Sequence, residues 1–213
     1  MEQVLRVALA LATVSHDPPL PDAGSCDVSL LRNCYDARLK HFNLTDDPLP
    51  PYFYYAHQKS AYIIDNGLSG QKQVCQWQHD LEKCLGASVN SCITFAAWNE
   101  AYNVSRIESL LYVNDFHAFQ YECGDGYDDL IKNFYCLLFV QVYRQDQLQD
   151  CAQKATTCIK QGFNCSCVYD NISCTGSVFS QECGQAASKF VCNLSEAILR
   201  PDLPECAASW PQC

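Results

Sequence analysis

The chain has 213 residues, enough for one domain or a compact pair with a real core, and sixteen of them are cysteine. An even count on that scale points to a disulfide framework in an oxidising compartment, and the lack of any CxxC spacing or of a histidine beside Cys165-Ser-Cys167 argues against zinc. The formal charge of −10 disfavours nucleic acid and anionic membrane surfaces as partners, because both require a cationic footprint.

In chain order, "MEQVLRVALALATVS" has a charged start ending at Arg6, an apolar run from Val7 to Val14 and small residues around Ala12 and Ser15. That pattern predicts a signal peptide over residues 1–15 and a secreted, extracellular mature protein. A proline-bearing extended leader is expected over 16–25, beginning "HDPPLPDAG" (His16 to Gly24), followed by one disulfide-rich helical domain over 26–213.

Within that domain the spacing is helical. Leu31, Cys34, Arg38 and Phe42 share a face in the first segment, and "DDPLPPYF" then breaks the chain. The stretch "PYFYYAHQKSAYII" gathers Tyr52, Phe53, Tyr54, Tyr55 and Tyr62, and its first four rings are the predicted contact surface, since tyrosine is a common interface anchor. Val74, Trp77, Leu81, Cys84 and Leu85 follow the i, i+3, i+4 rule next. Cys75 and Cys84 lie nine positions apart, about half a turn out of phase on a helix, so they should bond to different partners. Further on, "FYCLLFVQVY" (Phe134 to Tyr143) reads as a buried core segment too short to span a bilayer. Leu148, Cys151, Ala152, Ala155, Cys158 and Ile159 mark another helix. The cysteine-dense stretch from Asn164 to Val178 supports no assignment, and "RPDLPEC" opens a cysteine-pinned tail. With few strand signals, the expected fold class is mainly α, a helical domain stapled by disulfides among Cys26, Cys34, Cys75, Cys84, Cys92, Cys123, Cys136, Cys151, Cys158, Cys165, Cys167, Cys174, Cys183, Cys192, Cys206 and Cys213.

Five N-glycosylation sequons, at Asn43, Asn103, Asn164, Asn171 and Asn193, agree with passage through a secretory pathway. Asn164 is the weakest acceptor, because Cys165 can be locked in a bond before a glycan is added.

Catalytic candidates are sparse. "CQWQHDLEKC" sets His79 beside Asp80, the pairing used by secreted calcium-dependent lipases, in which the Asp binds calcium and the His activates water. A helical wheel at about 100° per residue turns His79 almost opposite the apolar arc. Moreover, Gln76 and Glu82 stand where that family has cysteines, and "NGLSG" upstream lacks the carboxylates of a calcium loop. "CGDGYDD" has no EF-hand spacing; Gly126, Asp128 and Asp129 read as a turn into a helix N-terminus, where acidic residues suit the dipole. No catalytic residue, metal site or cofactor is expected.

The runs "VCQWQHDLEKC", "YECGDGYDDLIKNFYCLLFV", "LQDC" and "VFSQECGQAASKFVC" resemble the secreted cysteine-rich domain abundant in nematodes and catalogued as a domain of unknown function. In that family a Cys-Gly turn precedes a helix with an aromatic-Cys pair, matching Cys123, Gly124, Tyr135 and Cys136. A later Cys-Gly-x-x-Ala run ending in an aromatic and a cysteine is similar to Cys183, Gly184, Ala187, Phe190 and Cys192. The resemblance covers roughly residues 26 to 206 and implies a secreted, helical, disulfide-bonded glycoprotein with no catalytic residues to carry over. The expected function is thus a non-enzymatic binding or interaction module for an extracellular protein or small ligand. The alternatives are a lipid carrier whose Phe134–Val142 helix lines a cavity, and a secreted calcium-dependent hydrolase built on His79 and Asp80.

Overall fold

The structure, a computed structural model, describes residues 26–213; the signal peptide and leader expected over 1–15 and 16–25 lie outside the described residues. Every regular element among the described residues is helical, and no strand occurs among them. The residues fall into two compact units, 26–119 and 120–213, inside the single span that the cysteines mark out in the sequence.

In the first unit, helix α1 (Val28–Lys40) is capped by Asp27, whose carboxylate accepts from the Leu30 amide at 3.1 Å. Its inner face is the one read from spacing: Leu31, Cys34, Arg38 and, just past the helix, Phe42 are all buried. Helix α2 (Tyr52–Leu85) is two helices joined at Gly67, whose φ of 56° and ψ of −140° only glycine adopts without strain. Polar side chains tie down the backbone around this break, Asn66 donating to the Tyr62 carbonyl and Ser69 to the Asn66 carbonyl. Short helix α3 (Val89–Cys92) leads to α4 (Phe95–Tyr102), which Thr94 caps. Helix α1 packs on both α2 and α4. Helix α5 (Arg106–Cys123), capped by the Ser105 hydroxyl, carries the chain across the boundary at 119–120.

In the second unit, α8 (Cys165–Cys183) lies against α6 (Tyr127–Tyr143), α7 (Gln145–Gln161) and α9 (Gln185–Leu199). Gly126 opens α6, and a side chain there would meet Tyr121 at 2.6 Å, so the turn closes only around glycine. Asp128 and Asp129 fall in the first turn of α6, as the sequence indicates.

No cysteine is free. Cys26–Cys92 and Cys34–Cys84 hold the first unit, the latter stapling α1 to α2. Because Cys84 takes Cys34, Cys75, which is also disulfide-bonded, has a different partner, as the half-turn phase requires. In the second unit, Cys136–Cys183 joins α6 to α8, and Cys151–Cys174 and Cys158–Cys167 both join α7 to α8. Cys165–Cys206 and Cys192–Cys213 pin the tail.

The structure departs from the spacing at two places. The unassigned stretch from Asn164 is the start of α8, whose cap is the Asn164 carboxamide accepting from the Ser166 amide at 2.9 Å. Its cysteines obscure the helical period because Cys167 and Cys174 turn to α7 while Cys165 turns to the tail. The run from Phe134 to Tyr143 is only half buried: Phe134, Leu137 and Val140 face inward, whereas Tyr135, Phe139, Val142 and Tyr143 are exposed. An uninterrupted apolar run carries no record of which face its neighbours will cover.

Candidate functional site: a buried charge cluster and an exposed aromatic face

The chemistry-bearing groups of the first unit converge on Asp115, on α5. One carboxylate oxygen accepts from the Tyr52 hydroxyl at 3.0 Å and the other from the Tyr55 hydroxyl at 3.3 Å. The Lys59 ammonium donates to the same carboxylate and sits 4.0 Å above the Phe119 ring centre. Arg38 donates through Nε to the Tyr55 hydroxyl at 3.0 Å. Arg38 and Lys59 are each 3 % exposed and Asp115 is 5 % exposed, so no solute reaches these groups. An aromatic stack backs them: Tyr112 lies over Tyr55 and Trp98 over Tyr112, with ring centres 5.5 Å and 4.6 Å apart, and Tyr35 meets Trp98 edge-on at 4.5 Å. The set is an acid–base constellation by composition and a structural core by position.

Burial pushes the Tyr35, Tyr52 and Tyr112 hydroxyls far up, and the Asp115 charge adds to the shift at each of them. Burial also works against the charge on Arg38, but Tyr55 and Asp115 outweigh it and hold the guanidinium charged. For the tyrosines the sign is unambiguous. An unfolded tyrosine ionises near about pH 10 and the folded ones ionise higher, so their contribution to stability is intact below about pH 10 and is lost as the pH rises beyond it. In an alkaline titration, the part of the tyrosinate absorbance that belongs to these buried rings should therefore rise together with loss of the helical circular-dichroism signal, in one cooperative step. Smooth ionisation of these rings while the helices persist would show them to be open to solvent.

The second candidate is a surface. On α6, Tyr135 is 68 % exposed, Phe139 40 %, Val142 46 % and Tyr143 68 %. Positions i, i+4, i+7 and i+8 fall within about 100° of arc, so the four make one stripe. It is braced at its C-terminal end, where the Arg144 guanidinium lies 5.3 Å from the Phe139 ring centre and bonds Glu182 of α8 at 2.6 Å. The Cys136–Cys183 bond fixes the same two helices one residue from Tyr135. An apolar patch held this rigidly on a polar surface is the usual form of an interaction site.

The predicted contact surface at the start of α2 divides. Tyr52 and Tyr55 are buried in the Asp115 cluster, and Phe53 and Tyr54 alone are exposed, which is what a helical period does to four successive rings. His79 is exposed, as the wheel requires, and Asp80 beside it is exposed too. Of the Phe134–Val142 run named in the lipid-carrier alternative, Phe134, Leu137 and Val140 face inward and Tyr135, Phe139 and Val142 stand at the surface. Cys192, Glu196 and Cys213 bring ligand-type atoms within 4.8 Å of one another, but the disulfide consumes both thiolates, the only form in which cysteine binds metal well. Of the sequon asparagines, Asn43, Asn103 and Asn164 are exposed, Asn193 is half-buried and Asn171 is buried. The Asp115 cluster and the α6 stripe are the features sequence reasoning missed; the only advance signal was a charged residue, Arg38, on an otherwise apolar helical face.

No family model matches the chain, and neither a curated protein nor a solved structure matches it.

Proposed function

We propose that the protein is a secreted, disulfide-rich glycoprotein that acts as a non-enzymatic binding module, with the Tyr135, Phe139, Val142 and Tyr143 stripe as its contact surface for another extracellular protein. The observation that carries the proposal is the exposure of these four side chains on one braced helix face. The wholly paired cysteines fit an extracellular protein. No helix among the described residues is long and apolar enough to cross a membrane. The Asp115 cluster, which has acid–base composition, is buried. The cysteine and aromatic spacing supports kinship with the nematode cysteine-rich domain.

A photo-crosslinking residue at position 143, exposed to extracellular fluid of the source organism, should capture one protein in preference to the same residue at Gln153. The purified partner should then bind the Tyr135→Ser, Phe139→Ser, Tyr143→Ser triple variant at least about thirtyfold more weakly, the scale of losing one interface hot spot. Each exposed substitution alone should shift folding stability by no more than about 0.5 kcal/mol. Equal capture at both positions, together with unchanged affinity of the variant, would rule the stripe out.

A further inference from the structure

The five sequons are equal in sequence and unequal in the fold. Asn43 and Asn103 are both exposed at the ends of helices, with φ of 57° and 50°, in the left-handed region that asparagine tolerates better than other non-glycine residues. At Asn164, also exposed, the carboxamide oxygen accepts from the Ser166 amide to cap α8, and this bond uses only the oxygen. A glycan bonds to Nδ2 and leaves the carboxamide oxygen as an acceptor, so the cap survives modification; Cys165 pairs with Cys206, 41 positions later in the chain, so its bond closes only after the sequon has been made, and the handicap expected at Asn164 falls away.

The other two asparagines are placed differently. Asn171 is 3 % exposed in the middle of α8, in the same buried stripe as Val168, Ile172 and Thr175. Helix α8 packs against α6, α7 and α9, so its inner stripe has no room for a saccharide. Asn193 is half-buried on α9, between Cys192, which is bonded to Cys213, and the buried Leu194.

From this contrast, and resting on the secretory reading above, we infer that the folded protein carries N-linked oligosaccharides on Asn43, Asn103 and Asn164 and none on Asn171 or Asn193. The donor class is a lipid-diphosphate-linked oligosaccharide, delivered by the host's transferase. The Nδ2 lone pair attacks the anomeric carbon and forms the N–C bond as the C–O bond to the diphosphate breaks. The lipid diphosphate leaves with that electron pair, and the proton lost from Nδ2 passes to a base. Transfer acts on a chain that has yet to fold, so any molecule modified at Asn171 is barred from packing α8. Selection thus falls on the folded population.

The test expresses the full chain in a glycosylating eukaryotic host, once behind its own amino terminus and once behind an added host signal sequence. Secreted, disulfide-intact monomer is digested with a glycan-releasing amidase in heavy-oxygen water, and each sequon is scored by the labelled aspartate it leaves. The expected result is label at positions 43, 103 and 164 only. Asn43→Asp and Asn103→Asp should each remove one glycan's worth of mass, and Asn171→Gln none. Label at position 171 or 193 in intact monomer, or its absence at any of the other three, overturns the inference. The two arms separate the questions: three glycans behind the added signal with no export behind the native terminus would uphold the site selection and defeat the secretory reading.

Discussion

Asp115→Ala should destabilise the folded protein by about 3–5 kcal/mol, the cost of removing one partner from a buried, hydrogen-bonded ion pair. The Asp115 carboxylate accepts from Lys59, Tyr52 and Tyr55 at once, and none of these three side chains can turn to water to replace it. The loss spreads to Arg38, because its Nε bond goes to the Tyr55 hydroxyl that Asp115 orients. Two further variants separate charge from shape. Asp115→Asn keeps an acceptor at that position and should cost less than alanine. Asp115→Leu combined with Lys59→Met should recover part of the loss, since replacing a buried pair with apolar groups of similar volume is often tolerated. Denaturant unfolding without reductant reads all three. A loss under about 1 kcal/mol for Asp115→Ala would mean that solvent reaches the cluster and that it does not hold α1, α2 and α5 in register.

What spacing reveals and what it hides follows from the range of the interactions. The inner faces of α1 and α7 are periodic within a few turns, so Leu31, Cys34, Arg38 and Phe42, or Leu148, Cys151, Ala155 and Ile159, identify themselves locally. The Asp115 cluster joins residues 56 to 63 positions apart, and nothing local marks Tyr52 and Tyr55 as inward or Phe53 and Tyr54 as outward. Helix α8 hides for a different reason: its four cysteines bond to α6, α7 and the tail, which overwrites the amphipathic pattern a single apolar neighbour would impose. The α6 stripe is hidden by excess signal, since "FYCLLFVQVY" is apolar on every side. Sequons suffer the same blindness, for Asn171-Ile-Ser is as good a motif as Asn43-Leu-Thr although only one of the two asparagines is at the surface.

Replacing Cys34 and Cys84 together by alanine should cost about 3 kcal/mol, and replacing Cys158 and Cys167 together about 2.5 kcal/mol. In the chain-entropy model the stabilisation grows with the logarithm of the loop closed; Cys158 and Cys167 are 9 residues apart, whereas Cys34 and Cys84, 50 apart, close a loop of about 17 residues because the enclosing Cys26–Cys92 bond stays intact. Packing does not favour either pair: each places one buried cysteine, Cys34 or Cys167, against a more exposed partner, so the cavity left by alanine is similar in the two variants. Removing both cysteines of a pair also leaves no unpaired thiol to reshuffle the remaining bonds. Midpoints from non-reducing denaturant curves test the order, and a reversal would mean that native packing across α7 and α8, rather than constraint on the unfolded chain, sets the worth of each staple. Of these two staples, the costlier to lose joins α1 to α2, around the unit whose interior holds the Asp115 cluster. Losing it should therefore loosen the packing of α1 on α2 around the groups that keep Arg38, Lys59 and Asp115 out of water.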